Sequence, residues 1–245
     1  MSKTIVIAGD SWGCGEWERS PGNYEISHPG LTQYLIDSNY QVINLSRSGG
    51  PNRYSSDRIS DFLQVNTYLQ ISCVIVFQTE WIREILIEHL EILANDFKYG
   101  YLELKNRLIS RFYYHLSRAS IKNNIPIYIV GGCSDTIWLD KFETEYPGLH
   151  IACQSLTNLL LENNHRNSDP VYGIFTGNTK LVIEYIKKNI SGKDLELLIQ
   201  DIEKGNQRLD LWIEKKEFFW PDGAHPNRHG HKILFEFLKT QIPGL

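Results

Sequence analysis

Two short segments at opposite ends of the chain carry residue types that could do nucleophilic and acid–base chemistry. Near the start, Gly9-Asp10-Ser11-Trp12 follows the β-branched run Ile5-Val6-Ile7, so polar groups are displayed where a short apolar strand ends. Near the end, WPDGAHPNRHGH at 220–231 sets Asp222 three residues before His225 on a loop punctuated by proline and glycine. A serine becomes a nucleophile when a base takes its proton and a third group orients that base. Ser11, His225 and Asp222 can meet that need, with the carboxylate turning back onto the imidazole. The glycine at 49, in the run NLSRSGG, would let a backbone N–H of a tight turn approach a developing oxyanion closely. A relay of this kind predicts a rate that rises through the ordinary histidine range, roughly pH 6 to 7.

Other chemistry at the same residues fits less well. Asp222, His225, His229 and His231 crowd together, and histidine is a common zinc ligand. His229 and His231, however, are two apart at a helix start and point to different sides, so no metal is expected. Gly9, Gly13 and Gly15 form neither GxGxxG nor GxxxxGKS/T, which argues against a nucleotide cradle. Cys14 lacks a Cys-His signature and reads as a buried thiol. Trp12, Trp17, Trp81 and Trp220 flank these segments and could stack on a sugar ring or line an acyl pocket, although packing is expected for at least two of them.

The elements that must position these groups are legible in the hydrophobic pattern. Strand-like runs recur at 5–8, 41–45, 73–78, 125–132 and 149–154. Between them lie helical stripes: Leu31, Tyr34 and Leu35; Ile82, Ile85, Leu86, His89, Leu90 and Leu93; and Leu108, Ile109, Phe112, Leu116 and Ala119. Alternating strand and helix predicts an α/β fold with a five-stranded parallel sheet covered on both faces. Ligands then bind outside the carboxyl ends of the strands, where Ser11, Gly49 and Gln78 fall. Residues of about 155–217 break the rhythm, with a polar loop at 163–173 and helical segments around 179–190 and 193–214, and read as a helical insertion or cap before the last loop. A final helix over about 228–240 starts after Pro226 and Asn227.

A chain of 245 residues fits one domain spanning 1–245. Its 25 basic and 29 acidic residues and formal charge of -4 give no footprint for nucleic acid or an anionic membrane. No apolar run is long enough to span a bilayer and no signal-peptide pattern opens the chain, so a cytoplasmic or otherwise intracellular location is expected. Four cysteines without a CxxC pair are expected as free thiols.

Four short blocks resemble the SGNH, or GDSL, hydrolases: Gly9-Asp10-Ser11 after the first strand, NLSRSGG after the second, the end of the third strand, and Asp222-Gly-Ala-His225-Pro-Asn. The resemblance does not reach residues of about 155–217. It implies a flavodoxin-like three-layer α/β/α fold, with Ser11 as nucleophile, His225 as general base and Asp222 as its partner. It also implies that the N–H groups of Ser11 and Gly49 form part of the oxyanion hole. The third block departs from the family, which has glycine, any residue, asparagine and aspartate there, whereas this chain reads Phe77-Gln78-Thr79-Glu80-Trp81. Gln78 is the expected replacement for the missing amide, and Thr79 could offer a hydroxyl. Trp12, Arg47, Asn52, Thr79 and Arg83 stand as candidate substrate contacts, with Arg83 also able to pair with Glu80.

The reading that follows is a serine esterase acting on a small-molecule or carbohydrate acyl ester through an acyl-enzyme, with no cofactor. The alternative is a degenerate SGNH-like binding or structural protein, motivated by the altered third block.

Overall fold

The computed structural model describes residues 3–20, 23–85, 100–132, 135–136, 142–161 and 177–245. The stripe beyond Ile85, the polar loop at 163–173 and Cys133 lie outside the described residues. The chain runs β1 (Thr4–Ala8), α1 (Ser11–Cys14), β2 (Glu16–Ser20), β3 (Asn23–His28), α2 (Leu31–Asp37), β4 (Gln41–Asn44), α3 (Asn52–Val65), β5 (Ile71–Gln78), a 3-10 turn (Trp81–Glu84), α4 (Tyr101–Asn123), β6 (Ile127–Gly131), α5 (Phe142–Glu145) and β7 (Leu149–Cys153). It continues with α6 (Leu156–Leu161), α7 (Gly177–Asn189), α8 (Gly192–Glu214), α9 (Lys216–Phe219) and α10 (Arg228–Gln241).

Five strands form one parallel sheet in the order β4-β1-β5-β6-β7. The near-continuous apolar runs of β1, β5 and β6 are those of strands buried on both faces, while β4 at the edge is partly exposed. Side chains alternate between two cores. Val6, Ala8, Val74, Val76, Ile127 and Ile129 face one, under α3, α4, α7 and α8. Ile5, Ile7, Ile75, Phe77, Tyr128 and Val130 face the other, under α2, α6 and α10. The result is a three-layer α/β/α fold with a five-stranded parallel sheet. Each fully buried aliphatic side chain here contributes about 1.5–3 kcal/mol relative to exposure. Among the described residues, no helix is long and apolar enough to cross a membrane.

Connections leave β1 toward β4 on one side and toward β5 on the other, so the sheet has its switch point between β1 and β5. Ser11 follows β1, and Thr79 follows β5, which places both at that crevice. The helices of residues 177–214 extend one layer: Val182, Ile183, Ile186, Ile190 and Leu198 are buried with α4, and α7 touches the 3-10 turn after β5. Asp201 fixes α8 to α4 by accepting from the Tyr101 hydroxyl at 2.9 Å and the Lys105 ammonium at 3.1 Å.

Two features go beyond the sequence expectations. An antiparallel hairpin, β2 with β3, stands between the first strand and the first core helix. The other is α3, whose buried stripe mixes Ser55 and Ser56 with Ile59 and Leu63, a thin apolar signal.

Candidate active site

The Gly-Asp-Ser turn is shaped by crowding against β5. A Cβ on Gly9 would lie 2.6 Å from the Phe77 Cβ, and the backbone turns there at φ +151°. Asp10 is fully buried and caps α1, its Oδ1 accepting from the Trp12 N–H at 3.0 Å. Its Oδ2 accepts from the Thr79 hydroxyl at 2.7 Å and lies 3.5 Å from Arg83 Nη1. The acid beside the serine therefore ties β1 to the end of β5, and Ser11 is the group left facing the crevice.

The loop after α9 delivers the other two groups. It is pinned by the Gly223 N–H to the Phe219 carbonyl at 2.8 Å and by the Asn227 N–H to the Phe218 carbonyl at 2.7 Å. Asp222 Oδ1 accepts from the N–H groups of Ala224 and His225, both at 2.9 Å, which folds the carboxylate back onto its own loop. His225 Nδ1 is then 2.5 Å from Asp222 Oδ2, and Nε2 is 2.8 Å from Ser11 Oγ.

Burial alone would raise the Asp222 pKa. The bonds from His225, its charge, and the bonds from Tyr24 and the Ala224 backbone outweigh that and hold the carboxyl below its ordinary value. An ionised carboxylate only accepts, so Nδ1 carries a proton and Nε2 is free to accept from the serine hydroxyl. The sequence-expected trio is thus in hydrogen-bonded contact.

Gly49 sits at φ +69° in a turn closed by the Gly50 N–H to the Arg47 carbonyl at 3.0 Å. A Cβ there would meet nothing, so the glycine answers to backbone conformation rather than to space. The loop is moored to the first strand through the Arg47 N–H to the Gly9 carbonyl at 3.0 Å. Among the described residues, no hydrogen bond uses the N–H of Ser11 or Gly49.

Four sequence expectations are corrected. Gln78 does not offer its amide to the crevice: its Nε2 donates to the Asp135 carbonyl at 2.8 Å, and its Oε1 accepts from the Tyr113 hydroxyl at 2.6 Å. Strand parity is the reason, since 74, 76 and 78 face the α4 side while Phe77 faces the other core. The Thr79 hydroxyl is spent on Asp10. Asn52 is buried and clasps Thr79, donating to its carbonyl and accepting from its N–H, each at 2.8 Å, which makes it a strap between α3 and β5 rather than a substrate contact. Trp12 is 2 % exposed and packs 6.3 Å from Phe219 in the core.

Arg83 pairs with Glu80 at 2.9 Å, and Arg47 is exposed with its guanidinium 5.1 Å from the Tyr54 ring. Trp81 is core, and Trp220 is 56 % exposed beside Asp222. Burial, then the charge of Asp10, pushes the Cys14 thiol up to about 12, too high for a nucleophile at neutral pH. His231 is fully buried under Gly30, with its ring 6.5 Å from Phe77.

The hairpin supplies Tyr24, which the sequence reading missed, and seats Trp17, which that reading named only as a stacking or pocket-lining candidate. Trp17 donates its indole N–H to the Ser11 carbonyl at 2.9 Å and stacks on Tyr24 at 4.9 Å. The Tyr24 hydroxyl lies 2.6 Å from Asp222 Oδ2 and 3.0 Å from His225 Nδ1. At the hairpin base, Glu16 pairs with Arg228 at 2.8 Å and accepts the Arg228 N–H at 2.5 Å, at the start of α10. The Pro21-Gly22 dipeptide was the available turn signal for this hairpin.

No family model matches the chain, and no curated protein matches it with significance. Among solved structures it is similar to TesA, at 14% identity over 98% of this chain and 100% of that one, with a TM-score of 0.40. It is also similar to the psychrotrophic esterase EstA from Pseudoalteromonas sp., at 13% identity over 98% and 96%, TM-score 0.43. A third likeness is to a GDSL-like lipase from Parabacteroides merdae, at 11% identity over 98% and 95%, TM-score 0.39. These are distant likenesses. They assign no activity to this chain.

Proposed function

We propose that the chain is a serine ester hydrolase of the SGNH type that removes an acyl group from an alcohol or a carbohydrate, deacetylation of a carbohydrate being one such reaction. The observation that carries this reading is the unbroken contact from Ser11 Oγ to His225 Nε2, and from Nδ1 to Asp222, between groups 214 and three residues apart in sequence. Ser11 Oγ attacks the ester carbonyl while its proton passes to His225 Nε2. The tetrahedral oxyanion is met by the N–H groups of Ser11 and Gly49. The C–O bond to the alcohol then breaks, and the alcohol leaves with the proton from Nε2, giving an acyl-serine. Water, deprotonated by His225, attacks the acyl carbon and releases the acid and the free serine. Asp222 holds the imidazole in the tautomer that each step requires.

We assign contact with the alcohol part of a polar ester to the exposed Trp220, two residues before Asp222, and to the exposed Arg47, two residues before Gly49. We read the helices of residues 177–214 as an addition to a single domain, lying beside the site, because α7 touches the turn that follows β5; α6, expected to belong to it, packs in the second core instead.

One observation favours the second reading, a degenerate binding protein. Gln78 and Thr79 are both committed elsewhere, and loss of one oxyanion donor costs on the order of a hundredfold to a thousandfold in rate. Steady-state hydrolysis of a short-chain aryl ester separates the two. The esterase reading expects slow but saturable turnover that disappears in both Ser11→Ala and His225→Ala. Turnover equal in all three proteins, or none in any, rejects it.

A further inference from the structure

The relay has a fourth member outside the three groups of the proposed mechanism. The two oxygens of Asp222 do different work: Oδ1 is taken by the backbone N–H groups of Ala224 and His225, so Oδ2 alone anchors the imidazole. The Tyr24 hydroxyl donates to that same Oδ2 at 2.6 Å, and its oxygen is 3.0 Å from Nδ1. We propose that Tyr24 is a positioning residue for the Asp222–His225 pair, and that the β2–β3 hairpin exists to hold its hydroxyl there. The proposal rests on the serine-hydrolase reading.

The hairpin has little other reason to be ordered. A two-stranded ribbon is marginal by itself, and beyond Trp17 its residues are exposed or only half-buried. Its anchors all lead to the site. Glu16 clamps the base to the first turn of α10 through Arg228. Trp17 is fixed by the bond from its indole N–H to the carbonyl of Ser11 itself. Tyr24 is fixed by its stack on Trp17 at an interplanar angle of 22°, with the Arg19 guanidinium 5.7 Å from the Tyr24 ring centroid. The Trp17 ring is also 5.8 Å from that of His225. One rigid aromatic pair therefore spans from the nucleophile's backbone to the carboxylate that orients its base.

The phenol and the imidazole compete for one oxygen, which sets the sign of the effect. A donor on Oδ2 draws charge from the carboxylate, so an Asp222 without Tyr24 would hold an imidazolium more strongly. The charged and titratable groups around the pair among the described residues are Arg19 and Tyr24 on the hairpin and His231 on α10, so the Tyr24 hydroxyl is the group that can be removed without altering a charge.

Tyr24→Phe keeps the stack on Trp17 and removes only the hydroxyl. Against wild type it should lower kcat about tenfold with KM nearly unchanged, the size expected when one charge-assisted bond to the relay is lost. The acid limb of its pH–rate profile should move to higher pH, and the downfield proton signal of His225 Nδ1 should shift. A purely structural tyrosine would move neither the pH limb nor that proton. Wild-type kcat and an unmoved acid limb in Tyr24→Phe would overturn the proposal while leaving the esterase reading intact. A wild-type protein with no Ser11-dependent turnover would overturn both.

Discussion

Four donors meet on the two oxygens of Asp222: two backbone N–H groups, the His225 imidazole and the Tyr24 hydroxyl. An amide in its place has one acceptor oxygen and presents N–H donors, so Asp222→Asn would favour the wrong imidazole tautomer and should lower kcat by roughly 10³ to 10⁴, read from aryl ester turnover. The Gln78 side chain makes the opposite case. Its amide bridges the Asp135 carbonyl and the Tyr113 hydroxyl, so Gln78→Ala should leave kcat unchanged and cost about 1–3 kcal/mol in urea unfolding, as both buried partners lose their bonds. A large fall in kcat without loss of stability would return Gln78 to the oxyanion hole. The difference between these two residues shows what was legible. Asp222 and His225 are close in sequence, and their turn is local, so composition and spacing disclose their contact. Gln78 belongs to a strand, and which face it takes depends on parity against partners that a single sequence does not display. Tyr24 is 198 residues from Asp222 and carries no local sign of the contact.

At the scale of elements, α10 rests its weight on a neutral histidine. Burial, the largest cause, lowers the His231 pKa to about 4, and the Gly15 backbone, though close, completes no hydrogen bond of good geometry to either ring nitrogen. The unfolded chain takes up this proton near the ordinary value of about 6.5 and the folded chain does not until about 4. Stability from this group is therefore whole above about pH 6.5 and falls as pH drops toward 4, by roughly 3 kcal/mol in all. The stability of wild type relative to His231→Leu, from urea unfolding, should therefore fall by roughly 3 kcal/mol as pH drops from about 6.5 to 4, whichever protein is the more stable at neutral pH. A pH-independent difference would mean that His231 is not the proton acceptor.

The clasp between α3 and β5 makes a second prediction. Asn52→Ala leaves the buried Thr79 N–H unpaired and should cost about 1–3 kcal/mol in the same assay. The central strands β1, β5 and β6 could be read from the sequence because both of their faces are buried and their runs are near-continuously apolar, and β4, partly exposed at the edge, because Val42 and Ile43 still carry a short β-branched run. The hairpin escaped because its strands are mostly solvent-facing and carry no apolar period, and α3 escaped because three of its five buried residues, Asn52, Ser55 and Ser56, are polar.

The whole molecule brings its two ends together. Ser11 closes the first strand, His225 precedes the last helix, and the doubly wound sheet between them sets the crevice where strand order reverses. The function assigned to that crevice therefore depends on the entire fold, and reactivity of Ser11 should vanish in the same cooperative transition as the tertiary structure. The most direct measurement is covalent labelling of the native chain with a fluorophosphonate probe, read by intact mass and peptide mapping. A single adduct on Ser11 is expected, formed in wild type and lost in both Ser11→Ala and His225→Ala. An adduct that persists in Ser11→Ala, or a wild-type chain that takes no label under folded conditions, would contradict it.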